Sequence, residues 1–198
     1  MILEGIVTTL DVDGRCNIAP MGPRVEAEML RFTLRPFRTS TTYRNLKRSG
    51  EGVLHVTDDA LLLARAAIGK LRPEDAPTRP AEVVDGRILV DACRYYEFKI
   101  SECDDRDERA TLTATMVAEG RIRDFFGFNR ARHAVVEAAI LATRVAILPI
   151  DAIREELRRL SIPVEKTGGD REREAMALLC EYIEDHAHER AATARGDE

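Results

Sequence analysis

Hydroxyl, amide and guanidinium side chains crowd one short stretch of the chain, Arg38-Thr39-Ser40-Thr41-Thr42, followed by Arg44 and Asn45. Groups of these types in this order suit an oxyanion such as a phosphate. Ser and Thr at a helix start accept from free N–H groups, and the N–H groups left over face an anion along the helix dipole. A nearby guanidinium adds a charge-assisted hydrogen bond. From Met29 to Gly50 the chain has no acid, and it holds Arg31, Arg35, Arg38, Arg44, Lys47 and Arg48. The whole chain carries a formal charge of −5. A cationic window inside an acidic chain fits a small anionic ligand better than a polyanion, so no nucleic acid is expected. The competing reading is an ordinary helix cap beside a solvated basic face.

A second group lies at another expected helix start, where Arg130, Arg132 and His133 precede Glu137. His133 and Glu137 are four residues apart and share a helix face, so they form either a substrate-orienting pair or an ion pair at a surface or interface. His186 and His188 have no third ligand near them in sequence and read as solvent-exposed, so no metal site is expected. Cys16, Cys93, Cys103 and Cys180 form no CxxC pair and read as reduced thiols. The Rossmann GxGxxG, the Walker A loop and the hydrolase GxSxG are all missing.

The elements that position these groups follow from patterning. Residues 2–10 are apolar and β-branched, and Asp11-Val12-Asp13-Gly14 turns them back into a strand from Arg15 to Ala19. Pro20 and Pro23 cannot continue a ladder comfortably. Strands are expected over 25–34, 51–57, 87–90, 95–103, 110–121 and 143–150. The charge run 104–109 forms a solvated hairpin tip. Helices are expected from about Thr39, over 60–68 behind Asp58-Asp59, from Asn129, over 151–160 and over 170–188, with a loop at 161–169. The face Ala131, Ala134, Val135, Ala138, Ala139 and Ala142 recurs at helical spacing and invites close approach by another element. No stretch approaches the ~20 apolar residues of a membrane helix, and the N-terminus lacks signal-peptide features, so a cytoplasmic protein is expected. Strands first, one helix among them and helices last give an α+β chain on a closed antiparallel barrel. The expected layout is a barrel domain over 1–150, a helical extension packed on it over 151–190, and a disordered tail over 191–198.

Cys16-Asn17-Ile18-Ala19-Pro20-Met21-Gly22 after a first hairpin resembles the opening of the FMN-binding split-barrel superfamily, flavin reductase-like and pyridoxamine oxidase-like. The segment from Gly127 to Arg144, GFNRARHAVVEAAILATR, resembles a subgroup known mainly as a domain of unknown function. The resemblance spans residues 1–190 and implies a six-stranded antiparallel split barrel with peripheral helices, a homodimer, and FMN near its interface. FMN needs phosphate donors, a slot for its ring and polar partners for the ring edge. Arg38, Thr39, Ser40, Thr41, Thr42 and Asn45 are the candidates for the phosphate. Asn17, Ala19, Met21 and Gly22 are the candidates for the ring, with Gly22 permitting close backbone approach. Arg130 and His133 are further cofactor candidates. The expected activity is a flavin-dependent oxidoreductase, with NAD(P)H as a possible donor. The alternatives are a non-catalytic FMN carrier and an interaction protein that binds another phosphate ligand.

Overall fold

The computed structural model describes residues 1–196, with side chains to residue 190. The tail expected over 191–198 falls outside the described side chains, and residues 197 and 198 fall outside the description altogether. The chain divides into two compact units. The first holds Met1–Asp58 and Pro73–Phe125; the second holds Asp59–Arg72 and Phe126–Glu198.

The first unit is an antiparallel sheet of β1 (Gly5–Leu10), β2 (Cys16–Met21), β3 (Arg24–Val25), β4 (Arg31–Leu34), β5 (Glu51–Val56), β8 (Arg94–Asp104) and β9 (Thr111–Arg121), in the order β2-β1-β5-β8-β9-β4-β3. The turn expected at Asp11–Gly14 is present, with Gly14 at φ +76°, where a side chain is disfavoured. The strand leaving it runs on through Pro20, which pairs with Ile6. Pro20 is tolerated because β2 is an edge strand and needs no second ladder. The chain bends at Gly22-Pro23, continues the same ladder with the N-terminal segment and pairs on its other side with β4. Leu3 N–H donates to Pro23 O at 3.0 Å, and Val25 N–H donates to Met1 O at 2.9 Å. Those bonds join the free edge at β3 back to the strand that leads into β1, closing the sheet on itself. Seven strands are separable, yet β2 and β3 act as one bent strand, which gives the barrel its expected six.

Inside, α1 (Thr41–Ser49) packs Tyr43 and Leu46 against Val7, Leu34, Leu54, Phe98 and Leu112. Outside, the small hairpin β6 (Thr78–Pro80) and β7 (Arg87–Leu89) covers Val53 and Tyr95. Two buried polar groups hold it there. Glu97 is fully buried and accepts from the backbone N–H groups of Glu82, Val83 and Val84 at 2.7–2.9 Å. His55 is also fully buried; its Nε2 accepts from Leu89 N–H at 3.1 Å and its Nδ1 meets Ile6 O at 3.2 Å. Burial pushes the His55 pKa down to about 4, so the ring is neutral and one nitrogen is free to accept.

The second unit packs α2 (Ala60–Ala67), α3 (Arg130–Ala142), α4 (Ile150–Thr167) and α5 (Asp170–Gly196) around Leu61, Val135, Ile153, Leu157, Leu179 and Ile183. Two expectations are corrected here. The strand expected over 143–150 is a run of turns, in which Val145 is buried but Ile147 is 79% exposed. Its apolar run mimics a strand, but it lies in the helical unit, which holds no strand for it to pair with. The loop expected over 161–169 is helix as far as Thr167. Proline costs α4 one backbone bond at Pro163. The helix continues because Val164 is buried in the helical core, and Ser161 and Thr167 hydroxyls donate to the carbonyls of Leu157 and Pro163.

Candidate functional site

The phosphate candidates separate into three roles at the start of α1. Ser40 is the N-cap: its hydroxyl accepts from Tyr43 N–H at 3.1 Å and donates to Phe37 O at 2.7 Å. For Ser40 the cap reading therefore holds. Thr42 and Asn45 turn inward and are buried. Arg38, Thr39, Thr41 and Arg44 stay exposed around the first turn, with Arg44 donating to the Thr41 hydroxyl at 3.1 Å. The N–H groups of Thr41 and Thr42 are the ones that the helix and its cap leave over. No acid lies in this first turn. The acid flanking the helix, Asp105, is engaged by the Tyr43 hydroxyl at 2.6 Å and by Lys47.

The ring candidates lie beside that start. Asn17, Ala19 and Met21 alternate onto one face of β2, opposite Thr9, Val7 and Gly5 of β1. Asn17 Nδ2 donates to Thr42 Oγ1 at 3.1 Å and approaches Thr9 Oγ1 at 3.4 Å. Asn45 Nδ2 donates to the same Thr9 hydroxyl at 3.0 Å. This network brings Asn17, Thr42 and Asn45 together and fixes α1 against β1 and β2. Thr9 is its hub, and the sequence analysis missed it, because a threonine in a β-branched strand reads as β propensity. Gly22 follows β2 at the bend, and a side chain there would meet Ile2 at 3.1 Å.

Arg35, half-buried just past β4, has its Nε buried with no partner. A buried donor without an acceptor costs free energy, and Arg35 belongs to the same acid-free window as Arg38 and Arg44.

The third set lies in the helical unit. Asn129 caps α3 by accepting from Arg132 N–H at 3.1 Å. Arg130 and His133 are exposed, and Phe128 meets the His133 ring edge-on with centroids 5.9 Å apart. Arg132 stacks on Phe126 and donates through Nε to Glu172 at 3.0 Å. Burial pushes the Glu172 pKa up, but Arg132 and the Gly169 N–H outweigh it and hold it below the usual carboxylate value. Glu137 is exposed, and among the described residues it makes no ion pair with His133. His186, expected in solvent, is half-buried, with its Nδ1 2.9 Å from Tyr182 O. Among the described residues no three His, Cys, Asp or Glu side chains group as metal ligands, and no helix is long and apolar enough to cross a membrane.

A six-strand antiparallel barrel plugged by one helix, with a cationic helix start beside β2, is a split-barrel fold. Residues 3–123 match the family model for the N-terminal domain of the DUF447 proteins of unknown function, and residues 129–181 match the second DUF447 model. The chain belongs to the DUF447 family. An FMN-bound DUF447 protein from Methanosarcina mazei is similar to it at 26% identity and a TM-score of 0.78, over 91% of this chain and 94% of that one. The flavin reductase HpaC, solved with NADP+, shares the fold at 19% identity and a TM-score of 0.55, over 63% of this chain and 81% of its own. The 2-nitrobenzoate 2-nitroreductase of Pseudomonas fluorescens does so at 20% identity and 0.52, over 60% and 64%.

Proposed function

We propose that this chain binds FMN in the barrel unit and acts as a flavin-dependent oxidoreductase on a small molecule. One observation carries the reading. The start of α1 presents two unpaired N–H groups, the Thr41 hydroxyl and the guanidinium groups of Arg38 and Arg44, with no acid in its first turn. Its geometry suits the phosphate, and the likeness to an FMN-bound member of the family supports the flavin. Bound FMN supplies electron and hydride transfer. The chain's own residues do the rest. Thr39, Thr41 and the Thr42 N–H orient the phosphate, with Arg35 and Arg38 balancing its charge. Asn17, Ala19 and Met21 offer one strand face to the ring, held in place by the Thr9 network. Arg130 and His133, exposed at the start of α3, are not used in this assignment.

A homodimer, NAD(P)H as donor and a cytoplasmic setting belong to the same proposal. Four unpaired cysteines suit a reducing compartment. The Ala face of α3, which from sequence suggested the dimer contact, is not available for it. Ala131, Ala134, Ala138 and Ala142 are all buried within the helical unit.

Anaerobic mixing of FMN-loaded protein with NADH or NADPH tests the activity. Rapid bleaching of the flavin band near ~450 nm is expected, a property of the cofactor itself. Indifference to both nicotinamides would refute them as donors and favour the non-catalytic carrier.

A further inference from the structure

The outer face of the barrel carries a second cationic surface that the proposed FMN site does not use. A shallow groove of about 330 Å³ opens between β3, β4 and β9. Strand register sets its layout. Arg24 pairs across from Thr33, and Thr33 pairs across from Thr113. Arg31 is two residues from Thr33, so it points to the same face as a diagonal neighbour of Arg24, at roughly 7–8 Å between backbones. Val25 and Phe32, whose side chains belong to the barrel core, also line it.

The charges of this groove are not neutralised internally. Arg24 and Arg31 are exposed and make no ion pair or hydrogen bond among the described residues, while Lys47, Arg79, Lys99, Arg106, Arg121 and Arg123 of the same unit each hold a carboxylate. The Thr33 hydroxyl is also unused; Thr113 donates to Glu102 at 3.2 Å. Glu26 is the one acid lining the groove, and it pairs with neither arginine. Two guanidinium groups on adjacent strands with a hydroxyl between them match a phosphate or pyrophosphate, because planar forks bind tetrahedral oxyanions through paired hydrogen bonds. The volume lies at the lower end of the range for small-molecule sites.

We propose that this groove is a binding site for a phosphate-bearing small ligand of nucleotide size, distinct from the start of α1. Arg24 and Arg31 clamp the phosphate, Thr33 donates between them, and Glu26 sets an upper limit on affinity by repulsion.

The test is calorimetric titration of the full chain, saturated with FMN, using ADP, inorganic pyrophosphate and adenosine. ADP and pyrophosphate are expected to bind once per chain, and adenosine not at all. Arg24→Gln and Arg31→Gln should each weaken ADP about tenfold, the equivalent of ~1.4 kcal/mol. Glu26→Gln should tighten it severalfold. FMN affinity, read by flavin fluorescence, should stay unchanged in all three, which separates this site from the α1 reading. Absence of ADP binding at millimolar concentration, or binding that survives Arg31→Gln unchanged, overturns the proposal. So does a halved mass of Arg24→Gln in light scattering, which would assign the groove to a second copy of the chain.

Discussion

Two helix starts in this molecule share their chemistry and differ in what faces them. Each is capped by a polar side chain, Ser40 for α1 and Asn129 for α3, and neither has an acid in its first turn. Each is surrounded by cations. At α3 the chain brings its own anion, since Glu172 holds Arg132 and also accepts from Gly169 N–H at 2.9 Å. At α1 it brings none: Asp105 is engaged further along the helix by Tyr43 and Lys47. Basic residues at a helix start therefore do not by themselves mark a ligand site. What marks one is an anion-shaped deficit that the fold leaves unfilled.

The largest effect should come from the open start. Thr41→Ala removes one donor to a charged group, which contributes about 1.5–3 kcal/mol, so FMN binding should weaken roughly 10- to 150-fold. Riboflavin lacks the phosphate, and its affinity should barely move. Equal losses for both flavins, measured by fluorescence quenching, would break the comparison and return Thr41 to a surface role.

At the filled start, Glu172→Gln should leave Arg132 without its charge partner. Removing one partner of a buried pair is costly, but Arg132 is partly exposed, so about 1–3 kcal/mol of helical-unit stability is expected to go. Hydrogen exchange in α3 and α5 would report it, with FMN affinity unchanged. Acid should act in the same direction. The Glu172 carboxyl titrates below its ordinary value of 4.5, so its contribution is present above that pH. It is lost as pH falls through the depressed value, because the unfolded chain takes up the proton first. Denaturant midpoints that hold steady below pH 4.5 in wild type, matching Glu172→Gln, would remove this account.

Asn17→Ala should have a smaller effect, and of a different kind. It removes the bonds to Thr42 and Thr9, each worth about 1 kcal/mol, and should weaken FMN and riboflavin alike by roughly five- to tenfold. A loss confined to FMN would move Asn17 to the phosphate side. The smallest effect is expected from Arg130→Ala and His133→Ala, both exposed at the filled start, with FMN affinity changing less than about twofold, as surface substitutions usually do. A tenfold loss in either would show that α3 reaches the cofactor.

Local patterning alone determined much of this protein. The Asp-Gly turn, the Ser40, Asp59 and Asn129 caps and the acid-free window with its hydroxyl run each rest on neighbours in the chain, whose geometry a short stretch encodes. The hairpin tip at 104–109 was readable for the same reason. Tertiary structure decided the rest. Whether 143–150 becomes a strand depends on a pairing partner, and the helical unit in which it lies offers none. Whether the Ala face of α3 meets a second chain or its own depends on α2, α4 and α5, which cover it. Glu172 answers Arg132 across 40 residues, and Asn17 reaches Thr42 across 25. Hydrogen bonds and charge pairs act over a few ångströms in space and take no account of separation along the chain, so only the folded barrel and helical unit could decide which cations were already answered and which were left open.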